Sequence, residues 1–564
     1  MKLADAQVAE RGAGRLGLMA NALAWLDEGA FDAAMAPARR LVSTAPRDPE
    51  ALLLLGLAEG GAGRITRAAQ ILARVAAARP DAAHPASDLA TLLLRHGGAE
   101  AAFAQYAACL RHSPDDPRLR RAYAGFLRGQ GEPARAIAVL EPLVRQSPDD
   151  AGAQHLMGLA YADLGRHALA IACFRAAIAI DPAPALGWAN LGLLLKVDGR
   201  FEEALEAYDQ AIARAPQDAR IQVNRAVALL AAGRLNEAWA AYEWRLRLGE
   251  PGPRGQGIAG PDPARLLPTI APGLSLAGKR VLVTHEEGFG DTLHFLRYVP
   301  MLAARGAQVE IWVPRPLARL LAGFPGIAAL HSGSMATPAH DYYCPVFSLP
   351  RAFATTRAAM PAARSYLQAD PALVAGWAAR LPPRPPGGLR VGLVWAGQAR
   401  PWLDGFATLD ARRSLDLAAL APLGSVPGVQ FVSLQLGAPA GQAASPPPGL
   451  DLIDPTAGIA DFADTAAILA QTDLLISVDT AVVHLAGALG RPVWMLDRYD
   501  HCWRWAPALS GAMPDAGTDP AGPQRSAWYP RMRIFRQTRM GDWDGVIGRV
   551  AAALAERAAG SISG

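Results

Sequence analysis

Lysine is nearly absent from the 564 residues, and arginine carries almost all of the positive charge. Alanine, glycine and proline are abundant beside it, so the bias reads as a genomic base preference. No dense basic block occurs, and a formal net charge of +4 is small for this length. The electrostatic footprint of a nucleic-acid binder is therefore missing. Cysteine is scarce as well: Cys109, Cys173, Cys344 and Cys502 stand far apart, with no CxxC pair and no metal-ligand spacing. That excludes a disulfide scaffold and a zinc module, and predicts buried free thiols in a reducing compartment. The opening MKLADAQVAERGAGR has no apolar signal core. No run reaches the ~18 apolar residues that span a bilayer. A cytoplasmic chain without a membrane span is expected. HExxH and Gly-x-Ser-x-Gly are absent too. The Walker-like GLSLAGK at 273–279 is followed by arginine instead of Ser or Thr, and it precedes its strand, so it is no phosphate loop.

What is present is length enough for several cores and, in the first half, a period. From about Leu16 to Glu250, glycine recurs every 34 residues at Gly29, Gly63, Gly97, Gly131, Gly165, Gly199 and Gly233. Alanine recurs from Ala34 to Ala238, proline from Pro46 to Pro216, and a small residue from Ala22 to Ala226, all at the same spacing. Small residues let two antiparallel helices approach, glycine closes the turn between them, and proline ends the second helix. The period, with Trp188-x-x-Leu191-Gly192, Ala204-x-x-x-Tyr208 and Pro216, resembles tetratricopeptide repeats. The resemblance implies an α-solenoid of seven repeats over residues 16–250, after an extension at 1–15, with a concave groove for peptides or proteins. One first-helix position should face that groove: Ala20, Leu54, Asp88, Ala122, Leu156, Asn190 and Asn224. In the repeat-bearing O-linked N-acetylglucosamine transferases an asparagine ladder at such a position grips the peptide backbone. Only Asn190 and Asn224 match here. An amide can donate to and accept from a backbone, so they are either acceptor-binding residues or ordinary surface asparagines.

Residues 251–272 are dense in proline and glycine and read as a linker. Beyond them strands and helices alternate, which predicts an α/β part with parallel sheets. Lys279–Thr284 is a buried strand, followed by His285-Glu286-Glu287-Gly288-Phe289-Gly290-Asp291 and a helix from Thr292 to Ala304. Gln308–Val313 is the next strand. A second linker at 382–388 leads to the strand Leu389–Trp395, then Ala396-Gly397. Gln430–Gln435 is another strand, and Asp461–Leu469 a helix in which Asp461 and Asp464 are caps. Trp543–Ala558 reads as a closing amphipathic helix, and residues 506–527 as a long surface loop.

The most informative stretch is Leu474 to Trp494, LLISVDTAVVHLAGALGRPVW. Leu474–Val478 is an apolar run like a buried parallel strand. Asp479-Thr480 has helix-capping chemistry, Gly490 stops the helix, and Pro492 leads into a strand at Val493-Trp494. Ligands of open parallel sheets sit at the carboxyl ends of strands beside helix N-termini, where free N–H groups, here Thr480 to Val483, can hold a diphosphate. Asp479 as a plain N-cap and His484 as a packed core histidine are the alternatives.

Asp479-Thr480-Ala481-x-x-His484-x-x-x-Ala488 resembles the donor-binding segment of heptosyltransferase-like glycosyltransferases, with Ala481 where that family often has glycine. Gly288-Phe-Gly290-Asp291-Thr-Leu-His294 resembles the family's Gly-Asp-x-x-His segment, and Trp395-Ala-Gly397, Trp503-Arg-Trp505 and Trp528-Tyr-Pro530 continue the likeness. The resemblance implies a GT-B module of two Rossmann-like domains, at 273–381 and 389–539, closed by a C-terminal helix and tail at 540–564 that crosses back to the first domain. It implies transfer of a sugar from a nucleotide sugar, with inversion and no metal or other cofactor. The aspartate, here Asp291, is the family's proposed general base, a task that suits a carboxylate; it could equally only cap its helix. His285 and Glu286 are back-up candidates. A basic residue before a helix meets the diphosphate, and Arg413 is preferred over Arg412. Gly288, Gly290, Trp395, Gly397, Gln435, Ser477, Asp479, Thr480, Ala481 and His484 complete the donor set, Gln435 lying where a base or ribose would. The repeats make a protein acceptor the natural reading, an exported polypeptide such as a flagellin by analogy. The rivals are a lipid or polysaccharide acceptor, a non-catalytic nucleotide-sugar scaffold, and a nucleotide-sugar epimerase.

Overall fold

The computed structural model describes residues 14–79, 83–248, 263–270, 274–333, 337–398, 410–510 and 524–562. The chain divides into two compact units, Met1–Leu194 and Leu195–Gly564.

Helical hairpins follow one another from Arg15–Asp27 with Phe31–Thr44 to Ala219–Ala231 with Leu235–Tyr242. Aspartates start several first helices: Asp48, Asp116, Asp150 and Asp218 accept from the N–H groups of the first turn. Most turn glycines of the 34-residue series are left-handed, Gly29 at φ 73° and Gly233 at φ 75° among them. The third repeat departs from the series: Gly97 has φ −124° and its neighbour Gly98 takes the left-handed place at 79°. The small-residue series is steric in origin. A Cβ on Gly56 would lie 2.8 Å from Leu72 Cδ2, and one on Gly158 2.9 Å from Phe174 Cε1. The groove-facing series is corrected at one position, since Leu54 is 4% exposed and belongs to the core.

The second unit holds two parallel sheets. The first comprises β1 (Arg280–Thr284), β2 (Gln308–Val313), β3 (Ile327–Ser332) and β4 (Tyr342–Pro345), in the order β3-β2-β1-β4. The second comprises β5 (Leu389–Val394), β6 (Val429–Ser433), β7 (Leu452–Ile453), β8 (Leu474–Val478), β9 (Val493–Asp497), β10 (Gln524–Arg525) and β11 (Met532–Arg536). Its order is β10-β11-β9-β8-β5-β6-β7, and β10 is antiparallel to β11. Without β10 this is the doubly wound arrangement, with a switch point between β5 and β8; the first sheet has its own between β1 and β4. Strands β5, β6, β8 and β9 are buried throughout, which is why they read as unbroken apolar runs.

Two expectations are corrected here. The stretch 251–272 is not all linker: 249–262 and 271–273 lie outside the described residues, but Leu267 is fully buried and its N–H donates to the Tyr343 carbonyl at 2.8 Å, extending the first sheet beyond β4. The closing helix, Trp543–Ile562, buries Val546, Ile547, Val550 and Leu554 in the core of the second sheet instead of crossing to the first. Asp461 caps its helix through the Ala463 N–H, and Asp464 reaches back to the Ala460 N–H at 3.0 Å; Asp464 also accepts from Trp377 Nε1 at 3.0 Å and pairs with Arg319 at 2.5 Å. Of the loop 506–527, Pro507–Ser510 is helical and 511–523 lies outside the described residues.

The last hairpin is built into the α/β part. Trp239 Nε1 donates to the Thr355 carbonyl at 2.8 Å, and the Tyr242 ring packs edge-on against Phe347. Arg245, 6% exposed, reaches both oxygens of Glu286 at 2.9 and 3.0 Å and also Ser348 Oγ at 2.8 Å.

Candidate functional site

Strand β1 ends at Thr284, and the chain turns through His285–Gly288 into the helix Phe289–Phe295. Gly288 is its N-cap, and Asp291, at the third helical position, reaches back to the Gly288 N–H at 3.1 Å. The capping alternative for Asp291 is therefore realised, and a second contact is added: its Oδ1 pairs with Arg504 Nη2 at 2.5 Å. Arg504 is 8% exposed, with its guanidinium over the Trp503 ring at 4.6 Å.

Strand β8 ends at Val478, and the helix Ala481–Ala488 follows. Its N-cap is Thr480, with no side-chain cap bond, so the expected capping by Asp479 does not occur. The Asp479 carboxylate makes no hydrogen bond or ion pair among the described residues. The two turns touch. A Cβ on Gly290 would lie 2.7 Å from His484 Cδ2 and 3.2 Å from the Ala481 Cα, so glycine is needed on the β1 side, whereas the β8 side tolerates Ala481.

His484 is 5% exposed and stacks on Trp505, ring centroids 5.2 Å apart. Its Nδ1 and that of His294 each lie 3.0 Å from the Tyr529 hydroxyl. Burial, reinforced by Arg504 and Arg297, holds His484 well below the usual histidine range and so neutral. His294 is likewise depressed, by burial and by Arg297. Arg297 fastens the two sides together, donating to the His294, Pro361 and Trp528 carbonyls and lying 4.7 Å over the Tyr529 ring.

On the β5 side Gly397 and Arg413 meet: a Cβ on the glycine would be 2.6 Å from Arg413 Nε. Arg413 pairs with Asp410 at 2.9 Å and donates to the Asp479 and Gln398 carbonyls at 3.3 Å. Arg412 turns instead to Asp500 at 3.1 Å. The structure thus brings Gly290, Asp291, Ala481 and His484 to one place, and Gly397, Arg413 and Asp479 to another that shares the Asp479–Ala481 turn.

Three of the expected donor side chains are turned inward, and their assignments are corrected. Trp395 is fully buried in the core of the second sheet. Gln435 uses all four hydrogen-bonding valences on backbone: its Oε1 accepts from the Trp395 and Ala396 N–H groups, and its Nε2 donates to the Ala396 and Leu436 carbonyls. It braces the turn after β5. Ser477 is fully buried and donates to the Val478 carbonyl at 2.7 Å. Of the back-up bases, Glu286 is held by Arg245, and His285 lies 2.7 Å from Thr292 Oγ1 with its pKa lowered by burial to about 4.

In the repeats, Asn190 Nδ2 lies 3.4 Å from His155 Nε2. The Asn224 amide makes no hydrogen bond among the described residues. No cluster of three or more His, Cys, Asp or Glu able to hold a metal ion occurs among the described residues, and no described helix is long and apolar enough to cross a membrane. The four cysteines are free.

Sequence reasoning passed over Glu287, Arg504 and Tyr529. Glu287 adopts φ 57°, a left-handed backbone that no sequence signal announces for glutamate. Arg504 and Tyr529 lie inside the Trp503-Arg-Trp505 and Trp528-Tyr-Pro530 motifs, but the carboxylate and histidines they serve are more than 40 residues away.

Of the comparisons with known proteins, the family models bear on the first half. Tetratricopeptide repeat family models match residues 50–82, 87–151, 127–185 and 189–249, so the chain carries tetratricopeptide repeats. Over 318 residues it is 30% identical to the protein FlbA of Caulobacter vibrioides, a match covering 51% of this chain and 48% of that protein. The chain thus spans about half the length of this curated relative. Among solved structures, PilF of Pseudomonas aeruginosa is 20% identical over 36% of this chain and 92% of its own, with a TM-score of 0.28. A thermophilic tetratricopeptide repeat protein of Thermus thermophilus is 26% identical over 38% of this chain and 100% of its own, with a TM-score of 0.21.

Proposed function

We propose that a chain joining tetratricopeptide repeats to this pair of sheets is a glycosyltransferase. Its second unit is then a GT-B module that moves a sugar, with inversion and without a metal, from a nucleotide sugar to a hydroxyl of a protein recruited by the repeats. The observation that carries the reading is the contact between two switch-point turns. The Gly288–Asp291 turn after β1 meets the N-terminal turn of Ala481–Ala488 after β8, with Gly290 against Ala481 and His484. Doubly wound sheets bind ligands at such points. One side offers carboxylates. The other offers the first-turn N–H groups of a helix with no side-chain cap, and Arg413 at the Asp479 carbonyl, a combination suited to a diphosphate leaving group. The protein acceptor is supported by the repeats, which bind partners, and by the unengaged Asn224 amide at a groove position.

Thermal unfolding of the full chain in a panel of nucleotide sugars tests the donor. One of them should raise the unfolding midpoint, and Arg413→Ala should abolish most of the shift, since a charge-assisted contact is worth roughly 1.5–3 kcal/mol. No shift with any nucleotide sugar or nucleoside diphosphate overturns the reading. For the acceptor, Asn190→Ala with Asn224→Ala should reduce modification of a protein substrate while donor hydrolysis stays unchanged. Full modification by that double variant removes the asparagines from the acceptor site.

A further inference from the structure

We infer that Glu287, rather than Asp291, takes the proton from the attacking hydroxyl, Asp291 serving as its fixed charged neighbour; this rests on the transferase reading above. Three carboxylates follow β1, and two are already engaged. Both oxygens of Glu286 are on the Arg245 guanidinium. Asp291 gives Oδ1 to Arg504 and Oδ2 to the Gly288 N–H. The Glu287 carboxylate makes no hydrogen bond or ion pair among the described residues and reaches solvent from the turn, while the Glu287 backbone holds the His285 ring. Its φ of 57° is a conformation that side-chain-bearing residues adopt only when their surroundings impose it, and such strain gathers at working sites.

The charges around Glu287 come from every element that packs on the turn. Glu286 adjoins it in the chain, Asp291 comes from the helix that follows, Arg504 from the Trp503–Trp505 turn, and Arg245 and Tyr242 from the last repeat. Glu287 keeps an edge open to solvent, but the protein crowded around the turn desolvates its carboxylate, and that desolvation, then Asp291 and Glu286, against Arg504 and Arg245, raises its pKa to about 7. A base works best when its pKa lies near the operating pH. In the step itself an oxygen lone pair of the acceptor hydroxyl forms the new bond to the anomeric carbon. The bond from that carbon to the diphosphate oxygen breaks, its electron pair leaving with the nucleoside diphosphate. The hydroxyl proton passes to a Glu287 carboxylate oxygen and from there to solvent.

The test uses the full chain, uridine-, guanosine- and thymidine-diphosphate sugars as probes, and water as the acceptor. Release of nucleoside diphosphate is followed from pH 5 to 9 and donor affinity by calorimetry. Wild-type kcat/KM should fall as pH drops through about 7. Glu287→Gln should lose roughly 100- to 10,000-fold in rate, lose that acidic limb, and bind donor as before. Asp291→Asn should keep the limb but move it to lower pH, because the charge that raises Glu287 is gone. The inference is overturned if Glu287→Gln keeps the wild-type rate and limb, or if Asp291→Asn abolishes the limb while Glu287→Gln retains it. A wild-type chain that neither binds nor cleaves any of these donors overturns the transferase reading itself, and the role of Glu287 with it.

Discussion

A methyl group on Gly290 has no room: it would press on His484 Cδ2 at 2.7 Å and on the Ala481 Cα, and backbone cannot give way as a side-chain tip can. Gly290→Ala should cost ~1–3 kcal/mol, the usual cost of overpacking, and on the proposed transferase reading should weaken nucleotide-sugar binding more than Ala481→Gly does. Urea unfolding and calorimetry read the two effects. Glu287 makes a second prediction by linkage. Its folded-state pKa is raised, so the folded chain keeps a proton that the unfolded chain releases, and stability is lost as pH climbs from the ordinary glutamate range through about 7. Glu287→Gln removes that loss. Its unfolding midpoint should exceed wild type at pH 8 and match it at pH 4. An equal midpoint at pH 8 would show that Glu287 keeps the ordinary glutamate range in the folded chain.

Among the elements, the join that Trp239, Tyr242 and Arg245 make between the last repeat and the α/β part, at Thr355, Phe347 and Glu286, bears the greatest consequence. Arg245→Ala leaves the Glu286 carboxylate without its partner in a largely buried setting, and removing one member of such a pair costs about 3–5 kcal/mol. Arg245→Met, which keeps the packing, should cost nearly as much, and a urea titration comparing the two shows whether charge or volume matters. Strands β2 and β8 were legible to the residue: Gln308–Val313 alternates buried Val309, Ile311 and Val313 with less buried neighbours, and Leu474–Val478 is a short buried run bounded by turn residues. The sequence pattern predicts one continuous helix after β1, from Thr292 to Ala304. The structure breaks it into Phe289–Phe295, a tighter turn at Leu296–Tyr298, and Val299–Ala303, and Pro300 near the start of the last piece was the signal overlooked. Site residues were legible where backbone geometry demands a residue type, as at Gly290. They were not where a polar side chain ends a strand. Gln435 and Ser477 look alike in sequence whether they meet a ligand or their own backbone, and only the fold shows the backbone claiming both.

At the scale of the whole molecule, acid should act unevenly. In the second unit burial lowers His285 to about 4 and holds His294, His484 and His501 well below the usual range. The unfolded chain takes up protons that these rings refuse, so stability present above about pH 6.5 is lost as pH falls toward 4. Asp497, raised to about 6 by burial, and Glu287 oppose the loss only in part. The first unit has two histidines so lowered, His84 and His155. Hydrogen exchange at pH 5 should therefore open the second unit before the first; simultaneous opening would refute this. Truncation divides the chain in the same terms. A chain starting at residue 182, keeping the last two repeats, should unfold cooperatively, whereas one starting at 251 should not, because it lacks Trp239, Tyr242 and Arg245. Trp239, sealed to Thr355, thus fixes where such genes can recombine. A new recognition array can be exchanged upstream of the sixth repeat, but the seventh must be inherited with the two-sheet half, as the stub to which any foreign array is grafted.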